Sequence, residues 1–167
     1  PLYSPVDRRK IRGMRAVLLW SGSSGKSAPL LDALEAELRL AKATTISLFP
    51  AEMESTAPLP RADVAVLKDK TPAGLEWGRR LHEAGIPTVT PYPVTSLCRD
   101  KLRTNQVLAQ AGLPVPECRS VTGPEDLISM LMDGSVILKP RRGSQGRGIR
   151  IIRDSMDVPA SWGTEEM

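Results

Sequence analysis

The chain of 167 residues is long enough for one ordinary domain or two small ones, and 41% apolar residues can bury a core in either case. No run approaches the roughly 18 to 20 apolar residues of a membrane helix, and no signal peptide is recognisable, so a cytoplasmic protein is expected. The net charge of +4 raises the possibility of nucleic-acid binding, which its distribution does not favour.

The positive charge is concentrated in two segments. Residues 1–13 form a basic N-terminal arm, which is expected to be solvated rather than bound to nucleic acid. The second segment contains no acidic side chain, and its basic residues are Lys139, Arg141, Arg142, Arg147, Arg150 and Arg153. Because this charge lies in a predicted hairpin, it indicates an anionic ligand.

The cysteines and the single histidine carry no recognisable catalytic or metal-binding pattern. Cys98 and Cys118 have no Cys-x-x-Cys spacing and no histidine partner motif, which disfavours a disulfide or a zinc site and predicts that both are packing residues. His82 lies outside any motif, on the expected surface of a helix.

The first half of the chain alternates short apolar runs with helical patterns, which predicts an α/β fold built from parallel β-α-β units. The predicted strands are 15–20, 44–49, 63–67 and 86–90, and the predicted helices begin at Ser27 and at Pro72. Leu30, Leu34 and Leu38 are expected on the buried face of the first helix, and Trp77, Leu81 and Ala84 on that of the second. Residues 14–93 are therefore predicted to form a Rossmann-like domain.

A second domain is predicted over residues 94–167, after a stiff connector at Pro91 and Pro93. It should begin with a helix over 96–111 that ends at Gly112. Thr122 and Glu125 have the spacing of a capping box, and the helix that follows would bury Leu127, Ile128 and Leu131. The runs 135–140 and 148–152 then predict an antiparallel hairpin.

The hairpin loop has the composition of a phosphate-binding nest. Gly143, Gly146 and Gly148 allow positive φ and a close approach of backbone N–H groups to an anion. Lys139 stands at the end of the incoming strand and can place its ammonium beside the same oxygens. Ligand binding is predicted on this basis, without yet specifying the ligand.

Two motifs that follow each other along the chain indicate more closely which ligand is bound. Arg99-Asp100-Lys101-Leu102 opens a helix that finishes in Gly112-Leu113-Pro114-Val115-Pro116, and Lys139 with Gly143-Ser144-Gln145-Gly146-Arg147-Gly148 follows. This combination resembles the ATP-grasp superfamily, and most of all the RimK-like ribosomal-protein glutamate ligases. The resemblance implies a Rossmann-like pre-ATP-grasp domain followed by the first, incomplete α+β subdomain of an ATP-grasp fold.

The resemblance implies ATP-binding roles for matching positions only. Those residues are Lys101, Lys139, Gly143, Ser144, Gln145, Gly146 and Gly148. Arg147 is added to them on its charge and position. The family also uses Mg²⁺, whose ligands are expected downstream, because Asp154, Asp157, Glu165 and Glu166 do not show the family's pattern. The chain is accordingly expected to be the front half of an enzyme, without catalytic activity of its own.

The implied reaction is ligation of a carboxylate to an amine through an acyl phosphate formed from ATP, with neither substrate identified and homo-oligomerisation left open. One alternative is an ATP-grasp kinase of the inositol-phosphate type, and another is a non-catalytic nucleotide- or partner-binding module. A third is a P-loop kinase using Lys26 in Gly22-Ser23-Ser24-Gly25-Lys26-Ser27, although Trp20 stands where a Walker A loop requires glycine.

Overall fold

The computed structural model describes residues 8–22, 28–143 and 146–159. The chain divides into two compact units, Pro1–Thr95 and Ser96–Met167. Within the described residues, no helix combines the length and the apolar character needed to cross a membrane.

The first unit is built on a parallel sheet of four strands in the order β2-β1-β3-β4. Its strands are β1 (Arg15–Leu19), β2 (Thr44–Leu48), β3 (Val64–Leu67) and β4 (Thr88–Val89), and its complete helices are α1 (Ala28–Leu40) and α2 (Pro72–Glu83). Leu18 on β1 packs with α1, whereas Val17 and Leu19 pack with α2. Because neighbouring strand residues point to opposite faces, the two helices cover opposite faces, and the predicted α/β class is confirmed.

Helix α1 packs Leu34 and Leu38 against the core as predicted, but it buries Leu31 in place of Leu30. Leu31 is 5% exposed and packs with Leu34 and Leu38, whereas Leu30 is 53% exposed. Leu31, Leu34 and Leu38 fall on one side of a helix, and so do Leu30, Leu34 and Leu38. The sequence alone therefore left open whether Leu30 or Leu31 is buried. The prediction for Leu30 was wrong by one position.

Helix α2 lies very close to the sheet because two of its buried positions are glycines. A Cβ at position 74 would stand 2.3 Å from Asp69 Cγ, and one at position 78 would stand 2.8 Å from Leu67 Cδ2. Trp77 is fully buried, as predicted, together with Leu81. Ala84, which was predicted on the same face, is exposed at the C-cap, where the helix is already ending.

The fourth strand is shorter than the predicted 86–90. β4 pairs with β3 through Ala65↔Thr88 and Val66↔Val89 only. Pro87 precedes this pairing and accepts a hydrogen bond from the Ala65 N–H at 2.9 Å, but it has no N–H of its own to donate.

Two helices replace the single helix predicted over 96–111. They are α3 (Tyr92–Cys98) and α4 (Lys101–Gln110). Asp100 is the N-cap of α4, where its Oδ1 accepts a hydrogen bond from the Arg103 N–H at 2.9 Å. Pro93 lies in the first turn of α3, where its missing N–H costs nothing, so the predicted proline connector is partly helical.

The second unit continues with α5 (Pro124–Met130), β5 (Val136–Leu138) and β6 (Arg150–Ile152). The strands form the predicted antiparallel hairpin with Ile137↔Ile151 paired. Leu138 and Ile152 pack against Leu127 of α5. The predicted burial of Ile128 was wrong, because this side chain is 49% exposed.

The start of α5 uses a different carboxylate from the predicted capping box. The N–H and Oγ1 of Thr122 donate to Asp126 Oδ2 at 2.6 and 2.9 Å, and these bonds, led by the backbone N–H, lower the pKa of Asp126. The N-cap is Gly123. Glu125 was therefore the wrong partner for Thr122.

Both cysteines are free and exposed, which contradicts the predicted packing role. Cys98 is the last residue of α3, and Cys118 lies in the segment between α4 and α5, which contains neither helix nor strand. Neither position is in the interior of a regular element, where surrounding side chains would have enclosed it.

Candidate functional site

A cleft of about 510 Å³ lies within the second unit. It is lined by the start of α4, by residues 116–121, by one side of α5 and by the stretch from 133 to 141. Val121, Leu127 and Leu138 give the cleft an apolar wall, and Lys101 and Lys139 are both among its lining residues. A cleft with an apolar wall and a few charged groups is typical of a small-molecule site.

The ammonium of Lys101 is held at the loop that follows β5. Its Nζ donates to the carbonyl oxygens of Pro140 at 2.9 Å and Gly143 at 3.2 Å. The Lys101 N–H also donates to the Arg141 carbonyl oxygen at 3.1 Å. The first residue of α4 is thus bonded to three residues of the hairpin loop.

Asp100 and Arg141 add an ion pair beside these bonds. Arg141 Nε donates to Asp100 Oδ2 at 2.8 Å, and an Nη of the same guanidinium lies 2.7 Å from this oxygen. The Asp100 side chain is 11% exposed and that of Arg141 is 36% exposed. One carboxylate therefore caps α4 through Oδ1 and contacts the hairpin loop through Oδ2.

The same contacts determine the ionisation of Asp100. The Arg141 guanidinium, followed by the Arg103 N–H, lowers the pKa of Asp100 to about 2, against the opposing effect of burial. A carboxyl with a lowered folded-state pKa adds stability that is present above its unfolded pKa of about 3.9 and is lost as the pH falls toward 2. The ion pair is consequently intact at neutral pH.

Lys139 follows β5 directly and is exposed at the cleft. It makes no ion pair with the described part of the chain. Its ammonium is thus available to an anionic ligand, whereas Lys101 would have to exchange carbonyl oxygens for ligand oxygens.

Three glycines of the loop after Lys139 have the positive φ angles that the sequence led us to expect. The φ values are +148° at Gly143, +71° at Gly146 and +73° at Gly148. A Cβ at position 148 would also stand 2.7 Å from Pro140 Cγ, so a side chain there would meet the segment that Lys101 contacts. Positive φ and this close approach both require glycine at position 148.

The structure brings together only part of the predicted ATP-binding set. Lys101 and Lys139 share the cleft, and Lys101 Nζ contacts Gly143. Arg147 is exposed and, like Gly143, Gly146 and Gly148, is not among the residues that line the cleft. Ser144 and Gln145 lie outside the described residues. The Walker-like Lys26 falls within 23–27, which is also outside them.

The contacts between Asp100 and Arg141 were not predicted. An aspartate directly before a helix is an N-cap signal that could have been read from the sequence. Nothing in the sequence indicates which of the neighbouring arginines, Arg141 or Arg142, this aspartate would contact.

Magnesium ligands are not assembled in the described parts of the chain. These parts contain no group of three or more His, Cys, Asp or Glu side chains placed to hold a metal ion. The pair formed by Glu117 and Arg119 at the cleft is an ion pair at 2.6 Å rather than a metal site. The residues present fit an anionic ligand and do not by themselves fit a divalent cation.

Comparison with solved structures identifies the class of fold. No protein-family model matches the chain. A RimK domain ATP-grasp protein from Sphaerobacter thermophilus superposes with a TM-score of 0.63 at 21% identity, covering 86% of this chain and 57% of that one. Over the aligned part, the chain has the fold of an ATP-grasp protein, as the sequence predicted.

Curated relatives narrow the resemblance to one branch. A probable alpha-L-glutamate ligase of Legionella pneumophila is 33% identical over 105 residues, covering 59% of this chain and 34% of the relative. One of Xanthomonas campestris is 30% identical over 146 residues, covering 84% and 48%. The chain is therefore similar to RimK-like ATP-grasp ligases, and it spans between a third and a half of the length of these relatives.

Proposed function

We propose that this chain is the ATP-binding portion of an ATP-grasp carboxylate-amine ligase, with its pre-ATP-grasp domain over 14–93 and the first ATP-grasp subdomain over 94–167. The observation that carries the proposal is the presence of Lys101 and Lys139 at one cleft, beside a glycine loop with three positive φ angles. The names of the curated relatives support the ligase class.

In the proposed complex, the triphosphate lies between the two lysines and the base lies against the apolar wall formed by Val121, Leu127 and Leu138. The ammonium of Lys139 neutralises phosphate charge directly, and Lys101 exchanges its two carbonyl contacts for phosphate oxygens. The backbone N–H groups of the loop that contains Gly143, Gly146 and Gly148 cover the phosphates. Mg²⁺ would neutralise phosphate charge, but the described residues contain no cluster of side chains that would hold it.

The proposed reaction transfers the γ-phosphoryl group of ATP to a carboxylate oxygen and releases ADP. The amine then attacks the acyl phosphate, so that an amide forms and inorganic phosphate leaves. Glutamate is the first amino acid to test, because the matched relatives are named glutamate ligases. This step is proposed for a protein that includes the remaining length of those relatives.

Two alternatives keep nucleotide binding and change its use. An ATP-grasp kinase would phosphorylate a hydroxyl group, and phosphate release that requires both a carboxylate and an amine would contradict it. A non-catalytic module would bind ATP without turnover even at the length of the relatives.

A P-loop kinase is the third alternative, and Lys26→Ala tests it. This variant should leave ATP binding unchanged under the ATP-grasp proposal.

The binding step is tested by calorimetric titration of the chain with ATP and with AMP, both in the presence of Mg²⁺. Because the lysines contact phosphates, ATP is expected to bind at least about tenfold more tightly than AMP, which corresponds to 1.4 kcal/mol. Equal affinities would show that the β- and γ-phosphates contribute nothing to binding and would contradict the proposed phosphate site. Absence of any binding of ATP would contradict the proposed function itself.

A further inference from the structure

We infer that Asp100 and Arg141 form a positioning pair that sets the spacing between the two phosphate-binding lysines. The inference rests on the proposed function, since it concerns the same cleft. Neither residue is proposed to touch ATP. The pair acts through Lys101, which is adjacent to Asp100, and through Lys139, which lies on the chain that leads to Arg141.

The two carboxylate oxygens of Asp100 contact different parts of the second unit. Oδ1 accepts the Arg103 N–H at 2.9 Å and so fixes the start of α4, while Oδ2 accepts the Arg141 guanidinium at 2.7 to 2.8 Å. The adjacent Lys101 N–H donates to the Arg141 carbonyl oxygen. Side-chain and backbone bonds together therefore join the first turn of α4 to one residue of the loop.

Because of the position of Arg141, the bonds between α4 and the loop affect both lysines. Arg141 lies between Lys139 and Gly143, and Lys101 Nζ bonds the carbonyl oxygens of Pro140 and Gly143 on either side of it. If the loop moved away from α4, the two ammonium groups would no longer face one cleft. Charged groups held in advance at the cleft require little reorganisation when the ligand arrives, since only the carbonyl contacts of Lys101 Nζ have to be exchanged.

The charge balance distinguishes Arg141 from its neighbour Arg142. The basic segment suggested that every arginine near the loop could meet an anion, but the Arg141 guanidinium already contacts the Asp100 carboxylate. Arg142 is exposed and does not line the cleft. Arg141→Gln and Arg142→Gln therefore remove the same charge from adjacent positions, of which only the first hydrogen-bonds Asp100. Because Arg141 also lines the cleft, Asp100→Asn is the variant that separates positioning from a direct contact of Arg141 with ATP.

The test measures the affinity of the whole chain for Mg-ATP in single and double variants. Asp100→Asn keeps an oxygen that can cap α4 but removes the charge facing Arg141. We expect Asp100→Asn and Arg141→Gln each to weaken ATP binding about tenfold, whereas Arg142→Gln changes it by less than about threefold. Arg141→Lys, which keeps the charge without the planar guanidinium, should recover part of the loss.

A double-variant comparison separates positioning from general stability. If Asp100 acts through both lysines, adding Asp100→Asn to Lys101→Met should weaken ATP binding by clearly less than the loss of about tenfold caused by Asp100→Asn alone, because only the effect on Lys139 remains. A purely structural role would instead add the full loss of the single variant. Circular dichroism at the assay temperature establishes that each variant is folded.

The outcomes distinguish this inference from the proposed function. Equal losses in Arg141→Gln and Arg142→Gln, or fully additive losses in the double variant, would overturn the positioning role while leaving ATP binding in place. The positioning role would also be overturned, with ATP binding still in place, if Lys101→Met weakens ATP binding and Asp100→Asn does not. Failure of the unmodified chain to bind ATP would overturn the proposed function, and the inference with it.

Discussion

Lys139→Met is expected to weaken Mg-ATP binding by about 30-fold, or roughly 2 kcal/mol. Opposite unit charges about 4 Å apart interact by roughly 4 kcal/mol at an effective dielectric near 20, and the exposure of Lys139 reduces this by screening. Methionine preserves the length of the side chain and removes only the ammonium. The affinity for AMP should change much less, because the proposed contact is with the outer phosphates.

Lys10→Met is the matched control for this experiment. Lys10 is an exposed lysine of the first unit, and its replacement changes the net charge by the same amount. It should leave ATP affinity within about twofold of that of the unmodified chain, because Lys10 is not among the residues that line the cleft. Similar losses from Lys10→Met and Lys139→Met would mean that overall charge, and not the cleft, governs binding.

Trp77→Ala should lower the free energy of unfolding of the first unit by about 3 to 5 kcal/mol. Trp77 is fully buried on α2, in the cluster that contains Leu19, Leu67 and Leu81. The neighbouring glycines place the helix backbone close to the sheet, so neither element can move inward to fill the cavity without a clash. Chemical denaturation followed by circular dichroism measures the loss.

Trp77→Phe provides the control for that variant. It keeps an aromatic ring in the core and removes a buried indole N–H that has no hydrogen-bond partner among the described residues. We expect a loss clearly smaller than that of Trp77→Ala. Equal losses in the two variants would show that the volume of the ring is not what stabilises the packing of α2 on the sheet.

The sequence predicted the element order of the first unit because alternation of strands and helices is encoded by local patterns. Details that depend on tertiary packing were missed. The helical pattern allows either Leu30 or Leu31 to be buried, and packing against the sheet decides that Leu31 is. Glu125 was chosen in place of its neighbour Asp126 as the partner of Thr122. The N-cap signal at Asp100 was passed over, so one unbroken helix was predicted where there are two.

The candidate site was predicted through its two lysines and its glycines, because these residue types have a local chemical requirement that motif spacing preserves. Positive φ at Gly143, Gly146 and Gly148 bears out the conformational part of that prediction. The contact of Asp100 with Arg141 joins residues about forty positions apart, and it depends on the docking of α4 on the loop. Such a pairing has no local signature, so counting charges along the chain could not show that Arg141 contacts a carboxylate.

The location of the ATP site is tested most directly by the alkylation rates of the two exposed cysteines. Cys118 lines the cleft, and Cys98 does not. Since a thiol reacts only where reagent can reach it, saturating Mg-ATP should slow the reaction of Cys118 with iodoacetamide at least about fivefold and leave Cys98 unchanged. Rates at Cys118 that stay the same while ATP is bound would contradict a nucleotide site in this cleft.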